Sequence, residues 1–495
     1  MMRLETGIMA REGSRGLVCS GCVVGRWFAL LFSVVSPVSF VVRIRMEYGM
    51  RVLLLVCLLA LLVSSLGLGR SLYVDEAFSL HFAGQPSALE VVREDLYDSN
   101  PPLYYLILHF LPSLAWMKAL GVGLVIVLVV LTFKVTSELY GEFTAVLASG
   151  LVAVNPLIIL YGQLLRPYLL LADLLMLAFL AGLTERRWLF ILASVLVLWV
   201  SNYAVLFIIV LAWYLRLYRE LLLVLLLGVP AFYYAAVQAG SFGVNVGHGL
   251  SWFVLIIPYL AVTFLSGVAY VVGDKLVLSV ESLLVVGFLL SSFAVIIFLG
   301  RFRRLLLLAA LPPLFFIGLN VFGIIMPVHA HRFLLSGVVL LILAAVGLTR
   351  LFRINRTVAV GFALAVMLCF LRADFALAAY QFEDWRGAAD YLKANVSVGD
   401  VVLLSHPQGE YALRYYYNGS FKVFPQSINW SDANWRGGLE FKGCRGLPDA
   451  NRLWYAENRA DARVLDCLKV KYSVTVVEEL KEIRIYQLVG GGDGV

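Results

Sequence analysis

The sequence predicts an all-α polytopic membrane domain of about eleven transmembrane helices, followed by a small C-terminal extracytoplasmic α/β domain. Three observations carry that prediction. The 495-residue chain is 61% hydrophobic and only 14% charged, with mean hydropathy +0.89, whereas a soluble domain carries about 25% charged residues. Apolar runs of about 17–24 residues recur without period-2 alternation, which selects helical spans over an outer-membrane barrel. Beyond residue 373 the chain turns polar and mixes helical with strand periodicity.

Residues 1–45 read as a mis-called or disordered extension. A short apolar stretch at 26–44 is interrupted by Pro37, and Met46-Glu-Tyr-Gly-Met-Arg51 supplies a basic start to a clean helix, so translation is expected to begin at Met46 or Met50. The transmembrane domain then covers 46–373. Its predicted spans are 51–69, 116–135, 143–160, 167–184, 188–201, 203–217, 221–238, 276–299, 304–326, 332–349 and 356–373. Counting the apolar stretches 101–115 and 251–272 as well would raise the total to about thirteen.

Charge parity decides between the two counts. Arg43, Arg45 and Arg51 place the start of the first helix in the cytoplasm, so the acidic loop 70–100 lies outside. If 101–115 and 251–272 lie in the interface without crossing, the basic loops at Arg186-Arg187, Arg216–Arg219, Arg301–Arg304 and Arg350–Arg356 all fall inside. Pro101-Pro102 and Pro112 suit a short bent interfacial segment. The hairpin 188–217 is the tightest part of this layout, with two short spans turning at Ser201-Asn202. The same parity puts residues 374–495 outside. There a helix is predicted at Trp385–Lys393, an apolar run at Val401–Leu404, a second helix at Gly409–Tyr417, and strands at 472–477 and 483–487. Asn395, Asn418 and Asn429 begin Asn-x-Ser sequons, compatible with that side.

The net charge of +7 is what cytoplasmic Lys and Arg at helix ends produce, and no nucleic-acid partner is implied. No glycine-rich phosphate loop follows a strand, so ATP-driven transport has no support in the sequence. Of the six cysteines, Cys57 and Cys369 lie in membrane runs, Cys19 and Cys22 have metal-like spacing without a second pair, and Cys444 could pair with Cys467 in an extracytoplasmic tail.

The chemistry-bearing residues gather on the predicted outer side. Asp75 and Glu76 stand just past the first span. Arg166 lies in Tyr161-Gly-Gln-Leu-Leu-Arg-Pro-Tyr168, His329-Ala-His331-Arg332 forms a late outer turn, and Asn202 and Tyr203 form a third. Taken singly, an acidic loop pair is ordinarily a solvated face, an interfacial Arg a snorkelling anchor, and His329 and His331 helix-end solvation. Asp173, inside a span, is a functional candidate by position. Taken together they suit a polar cavity at membrane level. A carboxylate there can accept a proton from an acceptor hydroxyl or amine, and an Arg can hold a phosphate through forked hydrogen bonds. A sugar on a polyprenyl phosphate needs both.

Tyr73-Val-Asp-Glu-Ala-Phe78, Asp98-Ser-Asn-Pro-Pro-Leu-Tyr-Tyr-Leu-Ile-Leu-His109, Tyr161–Tyr168, Arg332-Phe-Leu-Leu335 and Asp384-Trp-Arg-Gly-Ala-Ala-Asp-Tyr391 together resemble the GT-C superfamily of polytopic glycosyltransferases. Nearest are its protein O-mannosyltransferase-like and aminoarabinose-transferase-like members. The resemblance implies an enzyme that takes one sugar from a polyprenyl-phosphate donor to an extracytoplasmic protein, lipid or glycan. It implies Asp75 as general base with Glu76 in support, and Arg166 and Arg332 near the donor phosphate or sugar; His331, His329, Asn100, Tyr168, Gln163 and Asn202 complete the expected substrate-binding set by their place on the outer side. No cofactor and no catalytic metal are expected. The chain departs from the family pattern at Asn100, where His is frequent, and at Leu164 and Leu165, where an acidic residue often precedes the Arg. The Trp-Trp-Asp-Tyr-Gly signature of the N-linked oligosaccharyltransferases is missing. The competing expectations are a flippase or transporter of lipid-linked saccharide, a polymerase or ligase using a diphosphate-linked glycan, and a non-catalytic scaffold.

Overall fold

The computed structural model describes residues 37–98, 100–241, 303–321, 330–379, 382–405, 409–423, 452–458 and 462–490, with short pieces at 260, 263–264, 270–272 and 275–277. Val52–Val495 is one compact unit and Met1–Arg51 another. The predicted extension 1–45 lies almost wholly outside the described residues, as do the predicted span 276–299, His329 and the Cys444–Cys467 pairing. Cys57 and Cys369 are free thiols.

Helix α1 (Pro37–Ser65) opens on a proline, whose fixed φ suits a first helical turn. The loop after it holds α2 (Val74–Ala83), α3 (Ala88–Glu94) and α4 (Leu103–His109). Helix α4 has 7 residues; at 1.5 Å per residue it extends about 10 Å and cannot cross a bilayer. Helix α5 (Leu114–Tyr140) is the long span, and Gly141, at φ +85°, lets the chain leave it and begin α6 (Glu142–Ala153). Helix α7 (Pro156–Gln163) follows at a 54° bend. Asn155 makes that bend by capping α7, its Oδ1 accepting from Leu157 N at 3.1 Å and Ile158 N at 3.3 Å. At the α5–α7 crossing, Gly121 faces the carbonyl of Gly162 so closely that a Cβ would collide with it.

Then come α8 (Tyr168–Leu183), α9 (Arg187–Leu198), α10 (Ala204–Leu215), α11 (Tyr218–Leu227) and α12 (Val229–Ser241), the last two again bent by 54°. Helices α13 (Arg303–Val321), α14 (Leu334–Ile354) and α15 (Arg356–Ala379) complete the helical part. Each predicted span other than 276–299 coincides with one of these helices or bent pairs. Among the described residues three helices are long and apolar enough to cross a membrane, or up to 5 if each bent pair is one span. Several of the remaining helices are short: α9 and α10 have 12 residues each, about 18 Å. The chain is an integral membrane protein whose core joins α5 through α10 to α13 and α14.

One expectation is corrected at its end. Of the stretch 251–272, expected as an interfacial helix, residues 260 and 263–264 are helical and most of the others lie outside the described residues, but Tyr270–Val272 is a strand, β1, paired antiparallel with β2 (Lys275–Val277). β-Branched residues ahead of Gly273-Asp274 are a hairpin signal that outweighs apolar content.

The C-terminal domain holds α16 (Trp385–Asn395), β3 (Val401–Leu404), α17 (Gly409–Tyr416), β4 (Lys422–Val423), β5 (Arg452–Glu457), α18 (Ala462–Lys471), β6 (Tyr472–Leu480) and β7 (Ile483–Gly490). Its sheet has the order β4-β3-β5-β7-β6. Strand β3 is parallel to β4 and β5, and β7 is antiparallel to β5 and β6. Trp385, Ala388 and Leu392 of α16 and Leu413 of α17 pack on Val402, Leu404, Trp454 and Ile485 on one face. Leu403, Leu453, Tyr455 and Leu488 meet Leu468 of α18 on the other. Val74 and Ala77 of α2 belong to the first of these cores, so the helix carrying Asp75 is packed as part of the C-terminal domain.

Candidate active site

Asp75 lies in the first turn of α2, where a carboxylate is favoured by the helix dipole. Its Oδ2 accepts a hydrogen bond from Tyr73 Oη at 2.8 Å. Burial and that neighbouring carboxylate push the Tyr73 phenol far up, against the pull of Arg166, so Tyr73 stays a hydrogen-bond donor to Asp75.

The next residue faces the other way. Glu76 is 2% exposed and Lys118 of α5 is 6% exposed. Lys118 Nζ forms an ion pair with Glu76 Oε1 and donates to Gln163 O at 2.8 Å. Glu76 Oε1 also accepts from Leu165 N at 3.3 Å, and Oε2 from Tyr73 N at 3.4 Å. Glu76 therefore ties α2, α5 and the loop carrying Arg166 into one register.

Arg166 is buried between α7 and α8. Nη1 donates to Asp75 O at 3.4 Å and Nη2 to Tyr168 Oη at 3.2 Å. Its Nε has no hydrogen-bond partner, and Arg166 forms no ion pair among the described residues. The Tyr168 ring lies 4.2 Å from the ring of His331, whose Nδ1 is 2.7 Å from Tyr161 Oη. Arg332 is buried beside it, donates from Nη1 to Tyr203 Oη and stacks over that ring at 4.7 Å. Asp98 is within electrostatic range of both arginines. Its Oδ2 accepts from Tyr105 Oη, and from Asn100 Nδ2 at 3.2 Å.

The structure thus gathers Asp75, Arg166, Tyr168, His331 and Arg332 into one cluster, with Asn100 at its margin. Gln163 and Asn202, expected at the substrate, have their side chains committed elsewhere. Gln163 is buried, with Oε1 accepting from Arg70 and Nε2 donating to Ser64 O at 3.1 Å. Asn202 Nδ2 donates to Gln238 Oε1 at 3.4 Å. Gln238 Nε2 in turn reaches the carbonyls of Asp95, Asp98 and Asn100. Both amides are held by neighbouring protein groups, Gln163 by Arg70 and the Ser64 carbonyl and Asn202 by Gln238, as enclosed polar groups generally are. Asp173 stays apart, buried in α8 with neither carboxyl oxygen bonded.

Sequence reasoning passed over Lys118, Asp98, Tyr73, Tyr105 and Tyr161 as members of the site. For Lys118 a signal existed: it is a lone cation near the start of an apolar helix, a position that demands a partner. Asp98 stood inside a recognised motif but was overlooked in favour of Asn100.

No protein-family model matches the chain, and neither does any curated protein. Two solved structures share its fold over almost their whole length. ArnT from Cupriavidus metallidurans bound to undecaprenyl phosphate superposes with a TM-score of 0.55 at 12% identity, covering 88% of this chain and 97% of that one. ArnT from the same organism in the apo state gives a TM-score of 0.53 at 13% identity, covering 90% and 98%. At this identity the likeness is one of fold.

Proposed function

We propose that this protein is a membrane glycosyltransferase that moves one sugar from a polyprenyl-phosphate donor to an extracytoplasmic acceptor. The observation that carries this reading is Arg166: a buried guanidinium with an unused Nε donor and two long hydrogen bonds, one of them to the backbone of Asp75. A buried cation that forms no direct ion pair, with Asp75 and Asp98 acting on it only from a distance, is costly unless an anion completes it. The anion must arrive beside Asp75, at the start of helices that run into the bilayer. A phosphate whose tail stays in lipid meets that requirement, as does the undecaprenyl phosphate bound by ArnT.

In the reaction, the acceptor oxygen or nitrogen attacks the anomeric carbon and its proton passes to the Asp75 carboxylate. The bond from that carbon to the phosphate oxygen breaks, the oxygen keeps the electron pair, and polyprenyl phosphate leaves with the anomeric configuration inverted. Arg166 and Arg332 bind the phosphate and stabilise the charge that grows on it. Tyr168 and His331 line the sugar. Glu76 and Tyr73 hold Asp75 in place. No step is assigned to a metal. The N-terminus lies in the cytoplasm, and the C-terminal domain shares the outer side with Asp75.

The test is to incubate the purified protein with a panel of polyprenyl-phosphate sugars and an extract of cell-envelope proteins, lipids and glycans as acceptors, and to measure free polyprenyl phosphate. The wild type releases it with at least one donor, and Asp75→Asn abolishes release while folding is retained. Movement of the lipid-linked sugar across vesicles without release of polyprenyl phosphate would refute the reading in favour of transport. Wild-type release by Asp75→Asn would remove Asp75 as the base.

A further inference from the structure

The segment leading into α2 makes its polar contacts with the C-terminal domain. Glu383, buried to 1% exposure, accepts on Oε2 from Val74 N at 3.0 Å and from Trp385 Nε1 at 2.8 Å. Leu72 N donates to Tyr416 Oη at 2.9 Å. Ser71 Oγ accepts from Arg386 N at 3.1 Å, and Arg386 Nη1 donates to Gly69 O at 3.2 Å. Val74 N is the first of the donors at the start of α2 that have no intrahelical partner, and an N-cap side chain, which serves the second or third amide, does not reach it. Tyr73 occupies the N-cap position and its hydroxyl is committed to Asp75. The acceptor for Val74 N comes instead from a residue 309 positions away in sequence. Trp385, which shares the Glu383 carboxylate, is fully buried in the core that also holds Val74 and Ala77.

We infer that the C-terminal domain sets the position of the catalytic base, with Glu383 as the positioning residue. Glu383 touches no reacting atom. It fixes the backbone at Val74, one residue before Asp75, against a rigid tryptophan, while Glu76 and Lys118 hold the same helix from the membrane side. The domain is then an integral wall of the site. The inference about the base rests on the proposed transfer reaction; the anchoring of α2 does not.

The experiment uses the full-length protein in detergent micelles and reads two quantities. Backbone amide exchange over residues 69–83 reports how firmly α2 is held, with residues 334–354 of α14 as an internal reference. Steady-state kinetics with the active polyprenyl-phosphate sugar separates kcat from the donor KM. Losing a buried carboxylate acceptor for two N–H groups should speed exchange over 69–83 by about tenfold or more in Glu383→Ala. The α14 reference should not change, kcat should fall by about tenfold or more, and the donor KM should stay within about twofold. Glu383→Gln keeps an oxygen for both donors and should restore exchange and kcat to within about threefold of wild type. Should Glu383→Ala not fold, Tyr416→Phe removes only the acceptor for Leu72 N and should show the same pattern more weakly. Unchanged exchange over 69–83, or a kcat that stays at wild-type level while exchange accelerates, overturns the inference. A wild type that releases no polyprenyl phosphate, with exchange responding as expected, leaves the anchoring intact and overturns the transfer reading instead.

Discussion

Lys118→Met strands a buried carboxylate. In the folded protein Glu76 and Lys118 are both almost fully enclosed, and they form an ion pair across the α2–α5 contact. Without Lys118, the Glu76 carboxylate keeps only the amides of Leu165 at 3.3 Å and Tyr73 at 3.4 Å, both long for N–H···O bonds. Removing one partner of such a pair costs about 3–5 kcal/mol, because the other charge remains buried and uncompensated. Glu76→Gln alone should cost less than this, but it leaves the Lys118 ammonium with Gln163 O and a neutral amide. Glu76→Gln with Lys118→Met removes both charges and should recover most of the loss, to within about 1–2 kcal/mol of wild type. The two singles and the double form a mutant cycle whose coupling energy should reach about 2 kcal/mol or more. Denaturant-induced unfolding in mixed micelles, followed by tryptophan fluorescence, measures it. Additivity within about 0.5 kcal/mol would refute the reasoning, since independent residues cannot be the tie that registers α2 on the helical core.

Two other predictions concern packing and charge. Gly121→Ala should destabilise the protein by about 1–3 kcal/mol in the same unfolding assay, because the new Cβ meets the Gly162 carbonyl at the α5–α7 crossing and backbone cannot move aside as a side chain can. In the C-terminal domain, burial raises the Asp400 carboxyl, but hydrogen bonds from Ser397 N and Trp454 Nε1 and the Arg452 charge outweigh it and hold it below its ordinary value. A lowered carboxyl contributes stability above its unfolded value of about 4 and loses it as the pH falls through the folded value. Asp400→Asn should therefore lower stability at neutral pH and flatten the acid limb of the stability profile, with the two proteins converging at the lowest pH. Parallel acid limbs would remove Asp400 from the account.

Much of the architecture was legible because it is written in local patterns. Apolar runs without alternation specify helices wherever they stand, and α5, α8, α14 and α15 fall where hydropathy put them. The amphipathic stretch at α16 and the alternating β6 were equally readable. Strand β5 was not: Leu453, Trp454, Tyr455 and Ala456 are all buried because helices cover both faces of the sheet, and a strand covered on both sides has no alternation to detect. The bends at Val154–Pro156 and Gly228 divide what hydropathy reads as single spans, since a capping Asn or a Gly interrupts the helix without changing its apolar content.

The sequence by itself determined that this is a helical membrane protein with a polar C-terminal domain, and it singled out Asp75, Arg166 and Arg332 as unusual for where they stand. That much follows from burial, since a bilayer filters residues by polarity one segment at a time. Which of these residues meet was decided only by tertiary structure. Tyr161 reaches His331 across 170 positions, Lys118 finds Glu76 across 42, and Glu383 accepts from Val74 N across 309. Each is a demand that a buried polar group makes on the nearest available partner. The local sequence announces the demand, as Lys118 did on its apolar helix, but the packing of helices and sheet chooses which residue answers it.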